Sequence, residues 1–306
     1  MIDVLLLSLT FALGAVLARV SLCAVAGVQR AVIARDYAGL QRLALAASGA
    51  GIVLLVLAGI EPGSVRLPGA ASLHAGVFIG GALLGLGALV NGGCYLGSVL
   101  YLGSGNVNFL LTLAGIAAGA RLAEAQALLP VDGASGARVA MGYAWIGGTL
   151  AFALLTLLLL WRARPVARWL ALLAGILAGL VYARHPGWSY GTVIDALAHG
   201  RYSRMDWSAN LSALLLFAGA LTGAWLAGSF RLQRPAWARA LRCAAGGLIM
   251  GLGAAVVPGG NDSLLLWAIP GLTLYGTLAY FIMLATIAAG FAAAAVFKTR
   301  QGSKAS

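Results

Sequence analysis

Three cysteines, Cys23, Cys94 and Cys243, are the only thiols among 306 residues. Two of them stand where the backbone must change course. Cys94 closes the run Asn91-Gly92-Gly93-Cys94. Two adjacent glycines lower helix propensity by roughly 1 kcal/mol each relative to Ala, so two apolar stretches meet at a broken point that carries a thiol. A helix starting there would aim its N-terminal N–H groups at the sulfur, a setting that suits a bound anion. A lone buried cysteine can also be a small hydrophobe, and that is the reading for Cys243, which follows Arg239 and Arg242 at the start of an apolar span. Three scattered cysteines make neither a disulfide framework nor a zinc site. No P-loop, HExxH or strand-borne GxGxxG is present, so neither a metal nor a cofactor is expected.

These residues need elements to hold them, and the composition says which kind. The chain is 61% hydrophobic and 9% charged, with a mean hydropathy of +0.95. Soluble domains carry about 25% charged residues. Several uncharged runs are long enough to cross a bilayer, which requires about 20 residues. The fold expected is therefore an all-α polytopic membrane protein, with about nine spanning helices near 2–18, 40–60, 73–91, 106–124, 140–161, 167–184, 209–229, 239–257 and 272–296. Short or re-entrant helices are expected over Arg19–Asp36 and His185–Arg204, and after Cys94 and Asn261. The start, Met1-Ile2-Asp3, has no basic n-region, so the first apolar run reads as a span rather than a cleaved leader. The 43 glycines are about twice the usual ~7% and suit close helix packing and broken helices.

The net charge of +12 does not point to nucleic acid, because basic residues of membrane proteins gather in cytoplasmic loops. With the N-terminus outside, fourteen of the 20 basic residues fall in the loops after spans one, five and seven and in the C-terminal tail. The orientation expected is N-terminus outside and C-terminus in the cytoplasm.

The chain also repeats itself. Gly14–Arg19 (GAVLAR) matches Gly179–Arg184 (GLVYAR), and Gly80-Gly81, Gly85 and Gly87 match Gly246-Gly247, Gly251 and Gly253. Asn91-Gly92-Gly93-Cys94 meets Pro258-Gly259-Gly260-Asn261, and IAAG at Ile116–Gly119 recurs at Ile287–Gly290. The division expected is a first unit over 1–138, a linking helix over 139–165 and a second unit over 166–306, within one membrane domain. Equivalent spans are an odd number of crossings apart, which makes the units inverted repeats with glycine-broken segments. Such repeats build transport sites near the midplane.

Under this repeat Cys23 pairs with Trp188 and Cys94 with Asn261. Arg19 and Arg184 are equivalent, and either snorkel to the interface or attract an anion. Asn261-Asp262 either contacts substrate or caps a helix. Asn91, Asn106 and Asn108 are polar groups in apolar surroundings, where caps would satisfy them. His185 and His199, beside Asp195 and Asp206, are expected on a solvated face rather than in a proton relay. Trp188 and Tyr190 are expected as interfacial anchors.

SLCAVAGVQRAV around Cys23, GALLGLGALVNGGCYLG around Cys94, and GAWLAGSFRLQ with GGLIMGLGA in the second half resemble the YeeE/YedE family of membrane proteins (sulfur transport) over essentially the whole chain. The resemblance implies an hourglass-like inverted-repeat fold and inner-membrane uptake of thiosulfate or a related sulfur anion. It also implies cysteines that engage the anion transiently through S–H···S hydrogen bonds, and a TusA-type cytoplasmic sulfur carrier as a partner. Cys23 and Cys94 match the first two path cysteines. Asn261 stands where a third is implied; it can donate hydrogen bonds but offers no thiol. The expectation is a permease rather than an enzyme. Its path residues are Cys23, Cys94, Asn91, Gly92, Gly93, Gly259, Gly260, Asn261, Arg19 and Arg184. The competing readings are a membrane dithiol redox protein using Cys23 and Cys94, and a membrane subunit that hands sulfur to a carrier.

Overall fold

A computed structural model of the chain describes residues 2–61, 63, 65–69, 73–126, 143–161, 166–201, 207–257 and 259–302. Residues 140–142 of the fifth expected span, Arg204, Asp206 and Pro258 lie outside them. The chain is 82% helical, with no strand among the described residues. Among the described residues, eight helical stretches are long and apolar enough to cross a membrane, and Ala144–Leu160 is a shorter apolar helix beside them. The all-α polytopic expectation holds.

In order, the helices are α1 (Ile2–Val20), α2 (Ala24–Ala34), α3 (Ala38–Ile60), α4 (Ala75–Asn91), α5 (Tyr95–Gly103), α6 (Leu110–Ala125) and α7 (Ala144–Leu160). Then come α8 (Val166–Arg184), α9 (Tyr190–Ala198), α10 (Trp207–Leu226), α11 (Trp237–Val256), α12 (Asn261–Ser263) and α13 (Leu274–Gly302). A π-turn, Leu264–Ala268, continues α12. The short helices α2, α5, α9 and α12 fall where the sequence places them.

Their packing exchanges the two halves. Helix α1 packs on α10 as α8 packs on α3, and α4 packs on α13 as α11 packs on α6. The short elements follow: α2 lies on α13 as α9 lies on α6, and α5 on α10 as the π-turn on α3. Helix α4 meets α11, and α1 meets α8, at the centre of this exchange. Glycine makes these contacts possible by letting backbones touch, the usual device between apolar helices. A Cβ on Gly219 of α10 would run into the Phe11 carbonyl of α1, and one on Gly175 of α8 into the Ala46 carbonyl of α3.

The breaks are built by capping. Helix α4 ends on Gly92, left-handed at φ 72, with the N–H of Gly92 and of Gly93 both donating to the Ala88 carbonyl. This is the glycine C-cap that lets a helix stop abruptly. Helix α5 restarts two residues later with Cys94 as its N-cap. In the second half Gly259 turns at φ 120 and Gly260 caps α12. Cys23 caps α2 and Ser189 caps α9. The caps of the short helices thus fall within one residue of the expected equivalents, Ser189 beside Trp188 and Gly260 beside Asn261.

Candidate functional site

The caps of α2 and α5 meet in the core. Cys94 Sγ lies 3.8 Å from Cys23 Sγ, and both thiols are buried. Cys94 Sγ accepts from the N–H of Gly97 in its own first turn and from the N–H of Ala24 in the first turn of α2, each at 3.4 Å. Two helix N-termini thus converge on one pair of sulfurs, and their dipoles favour negative charge there. Gly97 makes the approach possible, since a Cβ on it would come 2.7 Å from Cys23 Sγ.

The surrounding polar groups hold this joint. Asn91 donates to the Gly93 carbonyl at 2.7 Å and to Ser98 Oγ at 2.9 Å, and accepts from Thr112 Oγ1 at 2.7 Å. Its side chain is thereby committed to the break. Asn261 Oδ1 accepts from the N–H of Leu96 at 3.2 Å, so a residue of the second half serves the first turn of α5. Asn106 caps the 3-10 turn Val107–Phe109, and Asn108 Oδ1 accepts from the N–H of Ala236. Each of these asparagines finds the partner it needs, but only Asn106 finds it as a cap; Asn91 and Asn108 tie a turn and a loop instead.

A cavity of about 390 Å³ opens beside the second half's breaks. Tyr95, Ser189 and Gly260 are buried among its lining, whereas Asp195 and Arg201 are about half exposed and mark its mouth. Tyr95 lines the cavity and directly follows Cys94, so the cavity reaches the residue next to the sulfur pair. Beyond the pair, Tyr101 and Phe109 pack against each other with ring centroids 5.0 Å apart and flank Gly93. The Arg239 guanidinium lies 5.3 Å over the Phe109 ring, close to Gly92.

Not every expected residue joins this line. Arg184 is exposed and pairs with Glu61 at 3.5 Å, and Arg19 is exposed at the end of α1. Neither lines the cavity. Cys243 is fully buried on α11, as a structural cysteine would be. Two expectations are corrected. His199 is not on a solvated face: its side chain is 3% exposed, with Glu124 at 3.0 Å from Nε2 and Asp195 at 3.2 Å from Nδ1. Trp188 and Tyr190 are not interfacial; both are buried, Trp188 edge-on to Tyr182 and Tyr190 against Tyr95. They fill the joint between the halves, which needs large side chains.

Gly97, Tyr95, Ser189 and Arg239 were not singled out from the sequence as path residues. The signal for Gly97 is its place three residues after a capping cysteine. Arg239 offers none, being indistinguishable in sequence from the other basic residues of its loop.

A family model described as "Sulphur transport" matches residues 19–136 and again residues 133–289. No curated protein matches the chain.

Proposed function

The chain belongs to the sulphur-transport family, and we propose that it is an inner-membrane permease for a small sulfur anion, with thiosulfate as substrate and uptake as direction. The observation that carries this reading is the pair of thiols 3.8 Å apart between two helix N-termini. A dianion needs compensation for its lost hydration. Here the N-termini of α2 and α5 meet the charge, and S–H groups meet the soft outer sulfur. Sulfate has no such sulfur and holds its water more tightly, so the same site discriminates against it.

On this reading the two halves, 1–138 and 166–306, are inverted repeats joined by 139–165. The exchanged packing and the double family match support that arrangement. The N-terminus lies outside, so the cavity is the outer vestibule and Arg239 stands on the cytoplasmic side. The anion passes from Arg201 and Ser189 to Tyr95, then to Cys94 and Cys23, and leaves past Tyr101 and Arg239. Asn91 and Asn261 position the break. A TusA-type carrier would take up the product inside, and co-purification with this chain tests it.

The test of the substrate is uptake of thiosulfate labelled at its outer sulfur, by cells without other thiosulfate permeases. Uptake that resists excess sulfate is expected. No uptake above an empty vector would sink thiosulfate and direct attention to other sulfur and selenium anions.

A dithiol redox protein is the second reading, favoured by the same short Sγ–Sγ distance. It requires the sulfurs to close to about 2.05 Å. It predicts a reversible disulfide that alkylation of either thiol prevents.

A further inference from the structure

Asp262 is the only fully buried carboxylate among the described residues, at 4% exposed. Its Oδ1 has no hydrogen-bond partner; the carboxyl meets the backbone N–H groups of Ser263 and of Asp262 itself, and no lysine or arginine acts on it. It stands directly behind the cavity floor. A Cβ on Gly260, a floor residue, would come 2.6 Å from that oxygen and 2.8 Å from the Tyr95 ring. The titratable groups facing it are phenols: Tyr95 of α5, Tyr182 of α8 and Tyr190 of α9. The Tyr190 hydroxyl is itself buried without a partner. The other ionisable groups of the cavity, Asp195, His199 and Arg201, pair with one another or with Glu124.

A charged carboxylate with no cation beside it in such a place is costly, and an anion descending to Tyr95 would add like-charge repulsion. Neither cost arises when the carboxyl holds a proton. We infer that Asp262 is the proton carrier that couples this permease to the proton gradient. It takes one proton from the outer cavity and stays neutral while the anion passes Tyr95 to the cysteine pair. It then releases the proton to the cytoplasm after the anion has left, so that one proton enters with each anion. This inference rests on the permease reading above.

The test uses the purified full chain in liposomes that hold a pH-sensitive dye. For one proton per anion, an inward gradient of about one pH unit raises the accumulation ratio of labelled thiosulfate about tenfold, and thiosulfate addition acidifies the interior. Asp262→Asn is expected to lose both responses, and Asp262→Glu to keep them. An Asp262→Asn protein that responds as wild type does overturns the inference. If wild type moves no thiosulfate, the substrate reading fails, and the infrared spectrum decides on Asp262 alone. A protonated-carboxyl band that comes and goes reversibly in wild type as the pH is cycled, and is lost in Asp262→Asn, upholds the carrier; a carboxyl that keeps one state throughout overturns it.

Discussion

Cys94 has its sulfur in a cradle of two backbone N–H groups and one thiol, and small residues around it keep that cradle open. The narrowest of these is Gly97. Its replacement by alanine forces the Cys23 thiol to move, because a Cβ would stand 2.7 Å from it. We expect Gly97→Ala to fold and to reach the membrane, with uptake reduced about tenfold, equivalent to roughly 1.4 kcal/mol at the barrier. Uptake normalised to the amount of monodisperse protein checks this. The two cysteines stood out in the sequence as candidates, Cys94 because a thiol beside a glycine pair is unusual in an apolar run and Cys23 because of its place in the repeat. Their contact with each other was not. Residues 23 and 94 lie on different helices, and only the packing of α5 on α1 and α10 brings the sulfurs together. Asn91 was legible as a polar group that needs partners, but its use on Gly93, Ser98 and Thr112 is set by the turn geometry.

At the scale of elements, the long helices were legible almost to their ends because twenty apolar residues leave little choice. The short helices were legible as leftovers, apolar pieces too short to cross. Their caps were not, and that Cys23 and Ser189 each open a short helix emerges only from where α2 and α9 begin. Close backbone contact sets the spacing between elements, and this makes a prediction with an internal control. Gly219→Val on α10 must push α1 away, at a cost of about 1–3 kcal/mol for overpacking. Gly147→Val on α7, where a Cβ meets nothing within 4 Å, should be tolerated. The midpoint of thermal unfolding in detergent should drop for the first variant and stay near wild type for the second. Equal midpoints would contradict the packing of α1 on α10.

For the whole molecule, the basic residues that suggest a nucleic-acid partner by number suggest an orientation by place. A reporter fused to the C-terminus should fluoresce as a cytoplasmic protein and show no periplasmic phosphatase activity. The reverse would turn the vestibule and Arg239 around. The orientation bears on energetics too. Bringing a dianion to a negative interior costs about 4.6 kcal/mol at 100 mV, since each charge costs about 2.3; one accompanying proton removes half of that. The cysteine pair remains the centre of the account, and it is tested most directly by labelled thiosulfate uptake in wild type and Cys94→Ala at equal expression and equal thermal stability. The account predicts clear uptake by wild type and loss of at least nine-tenths of it, about 1.4 kcal/mol or more, in the variant. Undiminished uptake by a well-folded Cys94→Ala would contradict it.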